Sequence, residues 1–182
     1  MSRLPALTAE TMSPAQQSVY DAILAGPRGR VEGPLRVWVQ SPKLAETAQA
    51  LGAFCRFGTS LPPRLSELAI LTTGAFWRAG FEWAVHAPIG IAAGLDAASV
   101  EAMRTGGQPA FTHPDERLVH QFVHEALQTK RVSNVTYCAA ETALGATALV
   151  ELVGIVGYYT LICLTINAFE VNLPEGAVEP FA

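Results

Sequence analysis

The chain has 182 residues, 50% apolar and only 15% charged, with 12 Lys and Arg against 16 Asp and Glu for a net charge of −4. An average soluble domain carries about 25% charged residues, so this is one domain with a sizeable core and a charge-poor surface, a composition that fits a homo-oligomer whose subunits cover one another. All 12 basic residues lie within positions 1–131, while residues 132–182 hold five Glu and no base; no basic patch forms, which argues against a nucleic-acid partner.

The first residues, MSRLPALTAETMSPAQQ, lack the apolar run of a secretory signal and point to the cytoplasm. Ser13 as N-cap, Pro14 at the first helical position and Gln16 at the third predict a capping box and a helix to about Leu24, stopped by Gly26-Pro27. Residues 26–34, GPRGRVEGP, read as a loop. A second Ser-Pro start at Ser41-Pro42 opens a helix ending near Gly58, and Pro63 opens another that Gly80 punctuates. FEWAVHAPIGIAAG follows to Gly94, with Pro88 predicting a kink or a late helix start. Asp96 caps a short helix closed by Gly106-Gly107, residues 114–129 form the next, and Ser133 caps one ending near Gly145. The last helix runs from about Ala146 to Phe169.

No period-two run stands out, so the fold class is all-α. Residues 1–34 read as an N-terminal helix and loop extension, 35–172 as the helical domain and 173–182 as a tail. From Leu152 to Phe169, 18 residues pass without a charge, the length of a membrane span. No Lys or Arg follows Arg131 to anchor such a span, and the stretch carries Gly154, Gly157, Tyr158, Tyr159 and Thr160. A core helix without membrane contact is the expectation.

Cys55, Cys138 and Cys163 are odd in number and widely spaced, without a CxxC, and read as buried core thiols. His120 and His124 could meet a metal from one helical face, but a third ligand is missing and Asp115, Glu116, Arg117 and Glu125 mark a solvated helix, so no metal is expected. His113 precedes Pro114 at a helix start.

Glu82 and His86 are different. They stand four apart in a segment without a basic residue from Ala79 to Met103, on a stripe continued by Ile89 and Ala93. A buried carboxylate must be paired, protonated or facing a cavity. Glu67, the single charge between Arg64 and Arg78, lies on a comparable apolar face with Ile70, Leu71 and Gly74. If the three converge, the carboxylates orient and tune an imidazole that gives or takes a proton near neutrality.

The stretch LPPRLSELAILTTGAFWRAGFEWAVHAPIGIAAGLDAASVEAM, and more loosely residues 35–172, resembles the carboxymuconolactone decarboxylase family, which includes the alkylhydroperoxidase-D-like proteins. The resemblance implies an all-α bundle assembling as trimers or hexamers. In peroxidase-type members a CxxC precedes the histidine by seven and four residues. Here Glu67 and His86 match the glutamate and histidine, but Ala79 and Glu82 stand at the cysteine positions, which removes the thiolate a disulfide cycle needs. Decarboxylase-type members resemble the EWAVH of Glu82–His86. The activity this resemblance implies is that of a cofactor-free decarboxylase or isomerase for a small lactone or enol-type acid. His86 is then the proton donor and shuttle, Glu82 and Glu67 set its charge and position, and Arg64 binds an anionic substrate. Trp83, Phe57, Tyr158 and Asn167 are the expected pocket walls. The alternatives are a redox protein, for which Cys55 would have to act alone, and a non-catalytic binding or assembly module on the same scaffold.

Overall fold

The capping box forms. In the computed structural model, which describes residues 2–182, Ser13 Oγ accepts from the Gln16 amide at 3.3 Å and Gln16 Oε1 accepts from the Ser13 amide at 2.8 Å, starting α1 (Pro14–Ala25). Proline opens four more helices: α2 (Pro34–Trp38), α3 (Pro42–Phe57), α4 (Pro63–Trp77) and α7 (Pro114–Thr129). Its fixed φ suits the first turn, where its missing N–H costs nothing. Between them lie α5 (Gly80–Ala92) and α6 (Ala97–Thr105, capped by Asp96), and α8 (Asn134–Phe169) ends the bundle. No strand occurs among the described residues, so the fold is all-α.

Three local details bear on the expectations. The loop 26–34 ends in the short helix α2, whose start is fixed by Gly33 at φ 54°. Pro88 sits inside α5, which starts at Gly80, so the late helix start does not occur. The two expected C-terminal helices, taken together as α8, are separated by a kink at the foreseen place: Gly145 has φ 80° and ψ 161°, outside helical geometry.

α4 is the central element. Every residue from 65 to 74 is buried, because α8, α5, α7 and α6 surround it. A helix apolar on all sides needs such an envelope. Its Thr72 and Thr73 hydroxyls bond back to the Leu68 and Ala69 carbonyls at 2.7 and 2.8 Å, so they cost little inside. α8 is the second axis. It packs on α4, α7, α3, α2 and α5, and half of its most apolar 18-residue window, of mean hydropathy 2.0, is buried within the protein. By length and composition it is long enough to cross a membrane; its buried Leu152, Ile155, Tyr159 and Ile162 make it a core helix here.

The ends of the chain join the same core. Val19, Ile23 and Val31 from the N-terminal extension and Phe181 from the tail belong to one hydrophobic cluster with α4 and α8. The Arg3 amide caps the Phe169 carbonyl at 2.9 Å, and the Arg3 side chain pairs with Glu170 at 2.6 Å. Phe181 lies edge-on to Trp83, with ring centroids 5.4 Å apart, and Arg78 and Arg104 donate to the Phe181 and Pro180 carbonyls.

Candidate functional site

Only Arg78 and Ala79 link α4 to α5. Arg78 takes the left-handed φ of 47° and the Ala79 amide returns to the Gly74 carbonyl at 3.0 Å, a C-terminal cap that turns the chain at once. The hairpin then closes tightly at Gly90. A Cβ there would meet Leu71 Cδ1 at 2.9 Å and lie 3.6 Å from Glu67 Cβ. This approach sets Glu67 of α4 against the face of α5.

That face carries Glu82 and His86, one helical turn apart. His86 Nδ1 is hydrogen-bonded to Glu67 Oε2 at 2.7 Å, and Nε2 forms an ion pair with Glu82 Oε1 at 2.9 Å. All three are buried, His86 to 3%, Glu82 to 4% and Glu67 to 6% exposure. The Tyr159 ring of α8 stands edge-on to the imidazole at 5.4 Å.

A carboxylate only accepts hydrogen bonds, so an imidazole between two of them needs a proton on each nitrogen. Burial pulls the His86 pKa down. The Glu82 charge, the hydrogen bonds that His86 donates to Glu67 and Glu82 and the Glu67 charge outweigh it, pushing the pKa up to about 9. At neutral pH His86 is an imidazolium held between the two glutamates.

The arrangement has a closed end and an open end. Glu82 and His86 line a cavity of about 50 Å³, while Glu67 is not among its walls. At about 30 Å³ of liquid volume per water, this space suits a compact polar group. Its other walls include Arg28, Arg56, Phe81, Tyr158 and Tyr159. Arg28 Nη2 donates to Tyr158 Oη at 3.2 Å. Both atoms fit because α3 has Gly52 beneath them: a Cβ would fall 2.0 Å from Tyr158 Oη and 2.5 Å from Arg28 Nη2. Burial pushes the Tyr158 phenol up to about 12 and the Tyr159 phenol well above 10, so both stay neutral and able to donate.

Of the pocket walls expected from sequence, Tyr158 alone lines this cavity. Arg64 is held by α7, with Nη1 2.5 Å from Glu116 and Nη2 2.7 Å from Asp115, so its charge is already matched. Trp83 packs against Phe181, since a residue next to Glu82 on a helix points to another face. Phe57 is 53% exposed at the end of α3. Asn167, also exposed, donates to the Trp77 carbonyl at 2.7 Å. Arg28, Arg56 and Tyr159 were not singled out in sequence; the nearest signal was Gly52 inside a helix, where a buried glycine marks a close approach.

The His120 and His124 rings stack at 5.8 Å beside a separate cavity of about 550 Å³, and burial with the neighbouring His124 pulls His120 down to about 4. Cys55 and Cys163 are buried as expected, but Cys138 is exposed on α8. Burial pushes the Cys55 and Cys163 thiols up, away from thiolate character, and none of the three cysteines is among the cavity walls.

No family model matches the chain, and no curated protein matches it. Solved structures do. An uncharacterized peroxidase-related protein from Silicibacter sp. TM1040 superposes with TM-score 0.76 at 10% identity, covering 96% of this chain and 92% of that one. The debrominase Bmp8, as a cysteine-to-alanine variant with 2,3,4-tribromopyrrole, superposes with TM-score 0.75 at 13% identity, covering 99% and 96%. The likeness is one of fold. It spans the whole bundle, including the N-terminal extension and the tail.

Proposed function

We propose that the chain is a cofactor-free acid–base enzyme, a decarboxylase or isomerase acting on a small lactone or enol-type organic acid. The observation that carries this reading is His86, buried and cationic between Glu67 and Glu82, with its Nε2 end and Glu82 at a cavity. Glu67 fixes the ring through Nδ1, leaving the Nε2 proton shared with Glu82 as the mobile one. In a decarboxylation the bond to the carboxyl carbon breaks and its electron pair moves onto a conjugated carbonyl, forming an enolate and CO₂. The Nε2–Glu82 edge then protonates the enolate carbon, and solvent returns the proton. An isomerisation uses the same edge twice, first as base and then as acid. Catalysis is assigned to His86 and Glu82 together, because neither imidazole nitrogen is free of a carboxylate.

Thiol-based chemistry of a peroxidase or dehalogenase finds less support, since Ala79 and Glu82 occupy the positions of the family's cysteines and the buried thiols are held protonated. Assembly with further copies belongs to the same proposal. Val150, Val153, Leu161 and Leu164 of α8 are exposed along one face, and Leu44, Leu51 and Phe54 are exposed on α3, which packs beside it. Such a surface suits the trimer or hexamer that the family resemblance implies. The test is a screen of lactones and keto or enol acids for CO₂ release or loss of ultraviolet absorbance. Activity is expected to vanish in Glu82→Gln and His86→Gln with helicity intact; full turnover in both variants refutes the assignment.

A further inference from the structure

We propose that the cavity beside Glu82 and His86 is a carboxylate subsite, in which Arg28 Nε and Tyr159 Oη bind the anionic head of the ligand and Arg56 supplies a second positive charge. The inference deepens the acid–base reading by naming the group that anchors the substrate, and it rests on that reading for the word substrate.

The first observation is a pair of orphaned donors. Arg28 Nε and Tyr159 Oη are buried and find no hydrogen-bond partner within the protein, and both side chains line this one cavity. Tyr159 is 2% exposed. Leaving a buried donor unmatched costs about 1–3 kcal/mol, so two of them on side chains that line one cavity point to a place built for an acceptor. The tyrosine stays a neutral phenol and can only help an acceptor by donating.

The second observation is the charge around the cavity. Among the described residues neither Arg28 nor Arg56 has a carboxylate within ion-pair distance, whereas Arg30 is matched by Glu32 at 3.4 Å. Arg28, Arg30, Arg56 and the His86 imidazolium stand against Glu32, Glu67 and Glu82, leaving a single positive charge. A monoanion completes that balance; a dianion such as sulfate overshoots it. Arginine presents planar, forked donors that match a carboxylate. The volume of about 50 Å³ admits a carboxylate head and no ring system, so the body of the ligand must lie beyond the walls. Phe81 and Glu32 are shared with a groove of about 420 Å³ lined by Leu4, Leu7, Val37 and Leu173, which offers an apolar place for it.

Titration calorimetry at pH 7 with sodium acetate, sodium bromide and sodium sulfate as probes tests the subsite without requiring turnover. Acetate is expected to bind and sulfate to bind much more weakly, with acetate affinity falling at least tenfold in Tyr159→Phe and in Arg28→Gln. Arg28→Lys, which keeps the charge but loses the Nε–H, is expected to recover only part of it. Circular dichroism controls for folding, and Arg56→Gln gives an independent arm if Arg28→Gln does not fold. Wild-type protein that ignores acetate, variants that bind it as well as the wild type, or binding of bromide but not acetate each overturn the proposal. The two readings fail separately. Loss of every tested activity leaves the acetate titration standing, whereas turnover with unchanged KM in Arg28→Gln and Tyr159→Phe removes the subsite and spares the acid–base centre.

Discussion

Replacing Glu67 by glutamine removes one charge from the trio while keeping an oxygen that can accept from His86 Nδ1. Two unit charges about 4 Å apart at an effective dielectric of about 20 attract by about 4 kcal/mol, roughly three pH units. The His86 pKa, about 9 in the native protein, is therefore expected near 6 in the variant. The groups facing the imidazole are Glu67 from α4, Glu82 from α5 and Tyr159 from α8, with Arg28 and Arg56 across the cavity. The effect on stability has a definite sign. Because the folded pKa lies above the ordinary histidine value of 6.5, His86 stabilises the fold fully below pH 6.5, and that contribution is lost as pH rises through 9. It amounts to about 3 kcal/mol at order-of-magnitude precision. An NMR titration of the imidazole, run with urea unfolding from pH 6 to 10 on wild type, Glu67→Gln and His86→Gln, reads both quantities. A wild-type His86 titrating near 6.5, or one unmoved by Glu67→Gln, refutes the electrostatic account.

Gly52→Ala places a methyl group 2.0 Å from Tyr158 Oη, so destabilisation of about 1–3 kcal/mol by overpacking is expected together with weakened acetate binding; calorimetric melting and the acetate titration check both. Phe181→Ala uncovers the edge of Trp83 and is expected to cost about 3 kcal/mol with a red shift in tryptophan emission, measurable by fluorescence-detected unfolding. Val153→Glu and Leu164→Glu put charge on the exposed face of α8 and are expected to reduce the mass found by light scattering to that of a monomer; a monomeric wild type refutes the assembly. Hydrogen peroxide is expected to leave Cys55 and Cys163 unmodified in the folded protein while Cys138 reacts, as mass spectrometry of alkylated thiols will show.

Local signals determined the helices. Ser13 with Gln16, the prolines at 14, 42, 63 and 114, Asp96 and Gly145 each act within a turn of the chain, so their consequences were readable without knowing what packs where. Glu67, Glu82 and His86 were legible for a related reason: ionisable groups on apolar helical faces must be buried, and burial demands partners. The short helix α2 was missed because glycine and proline dominate its approach, and α5 starts at Gly80, ahead of Pro88, rather than late.

The walls of the cavity belong to another level. Arg28 comes from the loop after α1, Arg56 from α3 and Tyr159 from α8, separated by up to 131 positions in the chain. Arg64 looked equally suited in sequence, yet Asp115 and Glu116 claim it, and Trp83 turns toward the tail although it adjoins Glu82. By itself the sequence determined an all-α chain with two carboxylates and an imidazole on buried faces, since periodicity and capping are short-range. Tertiary structure decided which arginines lack a carboxylate partner and which tyrosine ring stands edge-on to the imidazole, since the direction of a side chain depends on helix rotation and on partners far away along the chain.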